Sequence, residues 1–308
     1  MRRFALVVAV LLAVPVAVAA AAAAASPRVT TRAVLIRYRA HDGRVRPAWL
    51  LLPAEYDGQS VPLIISPHGR GVSARRNTAY WGNLPTEGDF AVVCPAGQGR
   101  RLEDYSWGDP GQIADLARMP QIVKAYGVNV DTHRVYAFGG SMGGQESLLL
   151  AAEYPEVLAG AAAFDPATDM SRRYRDFASL KGGRKLRLLA RVEIGGTPKT
   201  DPSAYALRSP DHYAEQLAFS DVPLQLYWST RDQIITDQRH ETGALADRIR
   251  DLNPDARLWD FQGQWRHTAE MWPDRRLPRA LARFGLLPWS KVPPLRGAEV
   301  TRGPGLLA

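Results

Sequence analysis

Cysteine is almost absent from this chain. The one thiol, Cys94, has no partner to oxidise with, so no internal disulfide holds the fold, and stability has to come from a packed core. Its setting, FAVVCPAG, reads as a buried strand in which cysteine serves as a small hydrophobe rather than a reactive thiol. No grouping of histidine, aspartate and glutamate has metal-ligand spacing, and neither a P-loop nor a dinucleotide-binding glycine motif occurs, so neither metal nor cofactor is expected. Internal repeats and coiled-coil heptads are missing as well.

Acidic residues are the scarcer charge, 31 against 39 lysines and arginines, for a net charge of +8. A nucleic-acid surface would concentrate the basic excess on one element with interleaved aromatics. Here it is dispersed over Arg172, Arg173, Arg175, Arg184 and Arg187 and the stretch from Arg275 to Arg302. That pattern reads as a solvated basic face with some affinity for acidic polymers, and excludes a nucleic-acid partner.

The first 25 residues stand apart. Arg2 and Arg3 precede a run from Phe4 to Ala25 with no polar side chain, ending in alanines before Ser26-Pro27. Alanine is only weakly apolar and Pro15 interrupts the run, so its strongly hydrophobic part has the length of an export-signal core, with an A-x-A cleavage site near Ala23 to Ala25. A secreted or extracytoplasmic protein without stable membrane association is expected; the alternative is an uncleaved anchor through residues 4–25. No cysteine follows the run to carry a lipid.

With 308 residues, 46% of them apolar, the remainder can bury a full core. Short apolar segments at 29–39, 48–52, 61–66, 90–95, 134–139, 158–164, 222–228 and 256–261 read as eight strands, the first two joined by the turn HDGR at 41–44. Helical patterns at 113–126, 141–154, 236–252 and 268–284 alternate with the later strands. This predicts an α/β fold with a mostly parallel sheet, helices on both faces and an antiparallel N-terminal edge, over residues 26–290. Residues 165–221 break the alternation and read as an excursion or partial lid, and 291–308 as a C-terminal tail.

Residues 139–147, GGSMGGQES, place one serine among glycines where strand RVYAFG becomes a helix. Such a turn presents a hydroxyl on a strained bend at a helix N-terminus, where developing negative charge is favoured. Ser141 then needs a base and an orienting acid. Asp232 follows strand VPLQLYW, and His267, in QGQWRHT, follows strand ARLWDF. Asp237 competes for the acid role but suits the first turn of the next helix; of the other five histidines, His68 is better read as shaping the oxyanion loop than as the base, and none has the post-strand position of His267. Serine, aspartate, histidine is the chain order of the α/β-hydrolase fold. An oxyanion hole is expected from the loop His68-Gly69-Arg70-Gly71, with the amides of Gly69 or Arg70 and of Met142 as donors. Trp81 and Trp107, in loops at the same sheet edge, are candidates for an acyl or aryl pocket.

The stretches PHGRG, GGSMGG, STRDQIITDQ and GQWRH resemble the α/β-hydrolase superfamily. VNVDTHRVYAFGGSMGGQES with GGTPKTDPSAYALRSPDHYAEQL is similar to the catalytic domain of the prolyl oligopeptidase group and its esterase relatives, over most of residues 48–285. Peptidases of that group carry a large N-terminal propeller, which the few tens of residues before this core cannot hold, and that points toward secreted esterases of the feruloyl-esterase-like or polyester-depolymerase-like kind. The resemblance implies hydrolysis of a small-molecule or polymer ester through an acyl-enzyme. A peptidase acting on short peptides and a non-catalytic hydrolase-like binding protein are the alternatives.

Overall fold

A computed structural model describes residues 30–295 and 297–303. The expected signal, residues 1–25, lies outside them. Among the described residues nine strands form one sheet: β1 (Arg32–Arg39), β2 (Val45–Leu52), β3 (Val61–Ile65), β4 (Ala91–Pro95), β5 (Val130–Gly140), β6 (Gly160–Phe164), β7 (Leu224–Ser229), β8 (Leu258–Gly263) and β9 (Glu299–Arg302), in the spatial order β1-β2-β4-β3-β5-β6-β7-β8-β9. All pairs from β4 across to β8 are parallel, whereas β1–β2, β2–β4 and β8–β9 are antiparallel.

The central strands are apolar throughout because both faces are covered, and successive residues enter different cores. Leu63, Ile65, Ala91, Val93, Ala137 and Ala161 point into one. Ile64, Val92, Cys94, Phe138 and Ala162 point into the other. The first face is covered by α1 (Pro110–Ala117), α2 (Met119–Ala125), α3 (Met142–Glu153) and, later in the chain, α6 (Ala244–Leu252); the second by α7 (Leu277–Arg283). Between α3 and α6 come α4 (Met170–Asp176) and α5 (Gly183–Ala190), both in the 165–221 excursion. A third apolar cluster, with Trp107, Met142, Met170, Tyr174, Phe177, Tyr205 and Ile235, joins that excursion to the start of α3.

Three expectations require correction. The sheet has nine strands rather than eight, because part of the expected tail, Glu299–Arg302, pairs with β8. Its charges fix it there: Arg302 bonds Asp247 at 2.7 Å and also meets Asp260, and Glu299 bonds Arg276 at 2.6 Å. The 113–126 helix is two helices, with Pro120 near the start of the second, where its missing N–H is harmless. The 268–284 helix reduces to Leu277–Arg283, because Thr268 takes a left-handed φ of 55° and Pro273 interrupts the remainder.

Candidate active site

The chain runs outward from β3 to β4 on one side and then to β5 on the other, so the ends of neighbouring β3 and β5 flank a topological switch point, where open parallel sheets bind ligands. The predicted catalytic and oxyanion residues fall at that edge. Gly69 and Arg70 follow β3, Ser141 follows β5, Asp232 follows β7 and His267 follows β8.

Ser141 adopts φ 58° and ψ −121°, a strained conformation for a residue with a side chain. Glycines make the bend possible: a Cβ at Gly139 would lie 2.2 Å from the Gly143 carbonyl oxygen, and one at Gly143 would lie 2.2 Å from that of Pro67. The second approach brings the start of α3 against the loop after β3. A Cβ at Gly69 would stand 3.9 Å from Ser141 Cβ. The Met142 amide opens α3 with no carbonyl one turn back, and neither it nor the Arg70 amide donates to a backbone carbonyl among the described residues.

His267 Nδ1 lies 2.6 Å from Asp232 Oδ2. The Asp232 carboxylate is fixed on every side: Oδ1 accepts from the amides of Ile234 and Ile235 at 2.7 and 3.0 Å, and Oδ2 also accepts from Gln238 Nε2 at 3.2 Å. Burial alone would raise its pKa, but the His267 bond and charge and the two amides outweigh burial and hold the carboxyl below its ordinary value. With Asp232 occupying Nδ1, the other ring nitrogen, Nε2, is buried without a hydrogen-bond partner among the described residues. His267 and Ser141 line one cavity of about 210 Å3, together with Gly69, Arg70, Val72, Asn77, Tyr80, Ile234 and Met271. The serine, histidine and aspartate proposed from chain order are thus brought together, and Asp237 is not, being paired with Arg172 and His240 away from the cavity.

The two tryptophans do not form the pocket. Trp81 is wholly buried, bonds Ser66 Oγ at 3.1 Å through Nε1 and packs edge-on against Phe90 and Phe138. Trp107 is buried behind the elbow, its amide 3.2 Å from Met142 Sδ. Both lie in loops of the correct edge, but their large apolar area draws them into the packing beneath it. Tyr80 takes the place on the cavity wall, against Trp272 at a ring distance of 4.7 Å.

One further residue belongs here. Asp165, the first after β6, is fully buried, and its carboxylate lies with Asp232 and His267 in a cluster whose nearest ligand atoms are within 4.8 Å of one another. Its Oδ2 accepts from the Thr268 amide at 2.7 Å and from Trp265 Nε1 at 3.1 Å, gripping the histidine loop on both sides of His267. Burial, and then the Asp232 charge, push this carboxyl well above the ordinary carboxylate range, against the bonds from Thr268 and Trp265. The signal that could have found it was its place at the end of a buried parallel strand, as for Ser141. The three side chains could be counted as metal ligands, but each is already committed: Asp232 to His267 and amides, and Asp165 to an amide and an indole.

A nine-stranded, mostly parallel sheet with a serine on a strained elbow, opposite a histidine held by an aspartate, defines an α/β-hydrolase of the serine type. The sequence profile of the prolyl oligopeptidase family matches residues 94–264, more than half of the chain, and the chain belongs to that family. Among curated relatives, the uncharacterized peptidase YtmA of Bacillus subtilis is 28% identical over 156 residues, 51% of this chain and 56% of that protein. Poly(3-hydroxyalkanoate) depolymerase C of Paucimonas lemoignei is 31% identical over 112 residues, 33% of this chain and 27% of that protein. The chain therefore spans about half the length of the first and less of the second. Among solved structures, an esterase from Rhizomucor miehei shares the fold with a TM-score of 0.65 at 14% identity, over 82% of this chain and 83% of that one.

Proposed function

We propose that the protein is a serine hydrolase of carboxylic esters, exported through residues 1–25. The observation that carries it is the His267 imidazole: Nδ1 is held by Asp232, Nε2 has no hydrogen-bond partner among the described residues, and His267 and Ser141 line the same cavity. Ser141 Oγ attacks the ester carbonyl carbon while His267 Nε2 takes its proton. The amides of Met142 and of Arg70 or Gly69 donate to the oxyanion. Collapse returns the proton to the departing alcohol and leaves an acyl-serine, and water, activated by the same imidazole, releases the acid and restores the hydroxyl.

The cavity wall supports an ester over a peptide. Val72, Tyr80, Ile234 and Met271 offer apolar surface for an acyl or aryl group, and among the described lining residues none carries a carboxylate that would receive a peptide amino terminus. The peptidase reading is favoured instead by the family and by the similarity to YtmA.

The test compares wild type with Ser141→Ala on 4-nitrophenyl butyrate and on alanyl and prolyl 4-nitroanilides, with fluorophosphonate labelling mapped by mass spectrometry. Faster ester turnover, abolished in the variant together with labelling, is the expected result. Preferential anilide cleavage overturns the ester assignment; undiminished activity in the variant, or no labelling and no turnover in wild type, overturns the catalytic one.

A further inference from the structure

Two arginines beside the catalytic cavity have no ion-pair partner among the described residues. Arg173, on α4, is 4% exposed, and its Nη1 is buried with no hydrogen-bond partner among the described residues. Arg70 lines the cavity that holds Ser141 and His267. Their guanidinium carbons lie 4.7 Å and 6.0 Å from the centre of the same Phe177 ring, so the two cations are closer together than the sum of those distances. Neither arginine forms an ion pair among the described residues, although Arg172 beside Arg173 pairs with Asp237, and Arg208 pairs with Asp109.

The acidic groups around Arg173 do not answer its charge. Glu241 is nearby, but its Oε2 is taken by the Thr168 amide and hydroxyl and by the Asp169 amide, and its Oε1 has no hydrogen-bond partner among the described residues. Asp232 is committed to His267, and Asp176 has one carboxylate oxygen buried without a hydrogen bond to the described residues. Burial pushes the Arg173 guanidinium down to about 10, with Glu241 countering and the like charge of Arg70 adding to it, so Arg173 is cationic at neutral pH; burial lowers Arg70 as well, and a guanidinium keeps its proton in proteins. Removing a guanidinium from water without a partner is expensive, and the Phe177 face offsets only part of that. The arrangement is most stable when an anion completes it.

We propose that Arg70 and Arg173 form an anionic subsite of the catalytic cleft, so that the preferred substrates are esters carrying a free carboxylate on a short acyl chain. Arg70, on the cavity wall, contacts the carboxylate through its planar fork, and Arg173, behind it across Phe177, strengthens the positive field there. This rests on the ester-hydrolase reading of the same site.

The test measures kcat/KM of wild type on a matched pair, the 4-nitrophenyl monoester of glutaric acid and 4-nitrophenyl pentanoate, which present a carboxylate and a methyl group at equivalent ends. The charged ester is expected to be preferred by about 10- to 100-fold, the worth of one charge-assisted hydrogen bond. The preference should shrink with added salt and collapse toward one in Arg173→Met, through KM rather than kcat, and the ratio between the two esters should likewise collapse in Arg70→Met. Arg173→Lys, which keeps the charge, should retain most of it. As a measurement independent of variants, free glutarate should raise the wild-type Tm where butyrate does not. An enzyme that hydrolyses both esters but does not prefer the charged one overturns the subsite alone, as does a preference unmoved by both methionine variants. Absence of ester turnover and of fluorophosphonate labelling overturns the underlying reading.

Discussion

Asp165→Ala separates positioning of the histidine loop from mere burial. The wild-type carboxylate receives the Thr268 amide at 2.7 Å and the Trp265 indole N–H at 3.1 Å. Alanine leaves both donors buried and unpaired, at roughly 1–3 kcal/mol each. Thr268 is β-branched and sits at φ 55°, a conformation that stores a further 1–3 kcal/mol or so once nothing holds it. The cheapest relaxation is for Thr268 to return to negative φ, which swings the adjacent His267 away from Ser141. Loss of native stability of about 2–6 kcal/mol lowers Tm by roughly 5–20 °C, and a displacement of the imidazole by about 1 Å costs on the order of 100-fold in kcat. Asp165→Asn, which retains an acceptor oxygen, should fall between. The assay is kcat on 4-nitrophenyl butyrate alongside thermal unfolding and the fluorophosphonate labelling rate, all at a temperature where each variant is folded. A folded Asp165→Ala protein that labels and turns over at the wild-type rate would refute the positioning role, whatever its Tm.

Two more outcomes follow from the same geometry. Asp232→Asn removes the acceptor that fixes the His267 tautomer while leaving a side chain of the same shape, so kcat should fall by about 1,000- to 10,000-fold with little change in KM; a loss below tenfold would move the acid role elsewhere. Burial raises the Glu146 and Glu241 carboxyls to about 7, against the bonds each accepts. Between pH 4.5 and 7 the unfolded chain has released these protons and the folded one has not, so stability is fullest below about 4.5 and is lost as the pH rises through 7, by up to roughly 3 kcal/mol for each group. Urea unfolding at pH 5 and 8 should show that decline, and Glu241→Gln should flatten part of it; an identical pH slope in the variant would exclude Glu241 as a source.

The residues that could be read from the sequence are those whose roles are written locally. Ser141 is announced by the glycines its bend requires, and Asp232 and His267 by the strands that end just before them. Even there the outlines shift: His267 heads a looped segment rather than a helix, because Pro273 and the left-handed Thr268 defer the helix to Leu277. Trp81 and Trp107 misled for a related reason. Position relative to the sheet edge was correct for both, but direction is decided by packing, and a tryptophan at the foot of a loop has more apolar area to bury than a pocket wall asks of it.

What could not be read depends on the excursion folding back over the edge of the sheet. Nothing in DMSRRYRDF distinguishes Arg173 from Arg172 or Arg175, yet Arg172 finds Asp237 at 3.3 Å and Arg173 is buried by Phe177. Arg70 sits in a loop after a strand, and it is Phe177, 107 positions on, that reaches its side chain. Asp165 likewise becomes a positioning residue only when the loop after β8, a hundred residues later, delivers Trp265 and Thr268 to it. On the proposed function, the nucleophile, base and acid are thus set out by strand ends, a property of the sheet. The groups that steady the base and, on the proposal above, choose the substrate are set by long-range packing of the 165–221 segment. Catalytic and selective functions are therefore separable by mutation: exchanging Arg70 or Arg173 should change which ester is taken, whereas exchanging Asp165 or Asp232 should slow every ester alike.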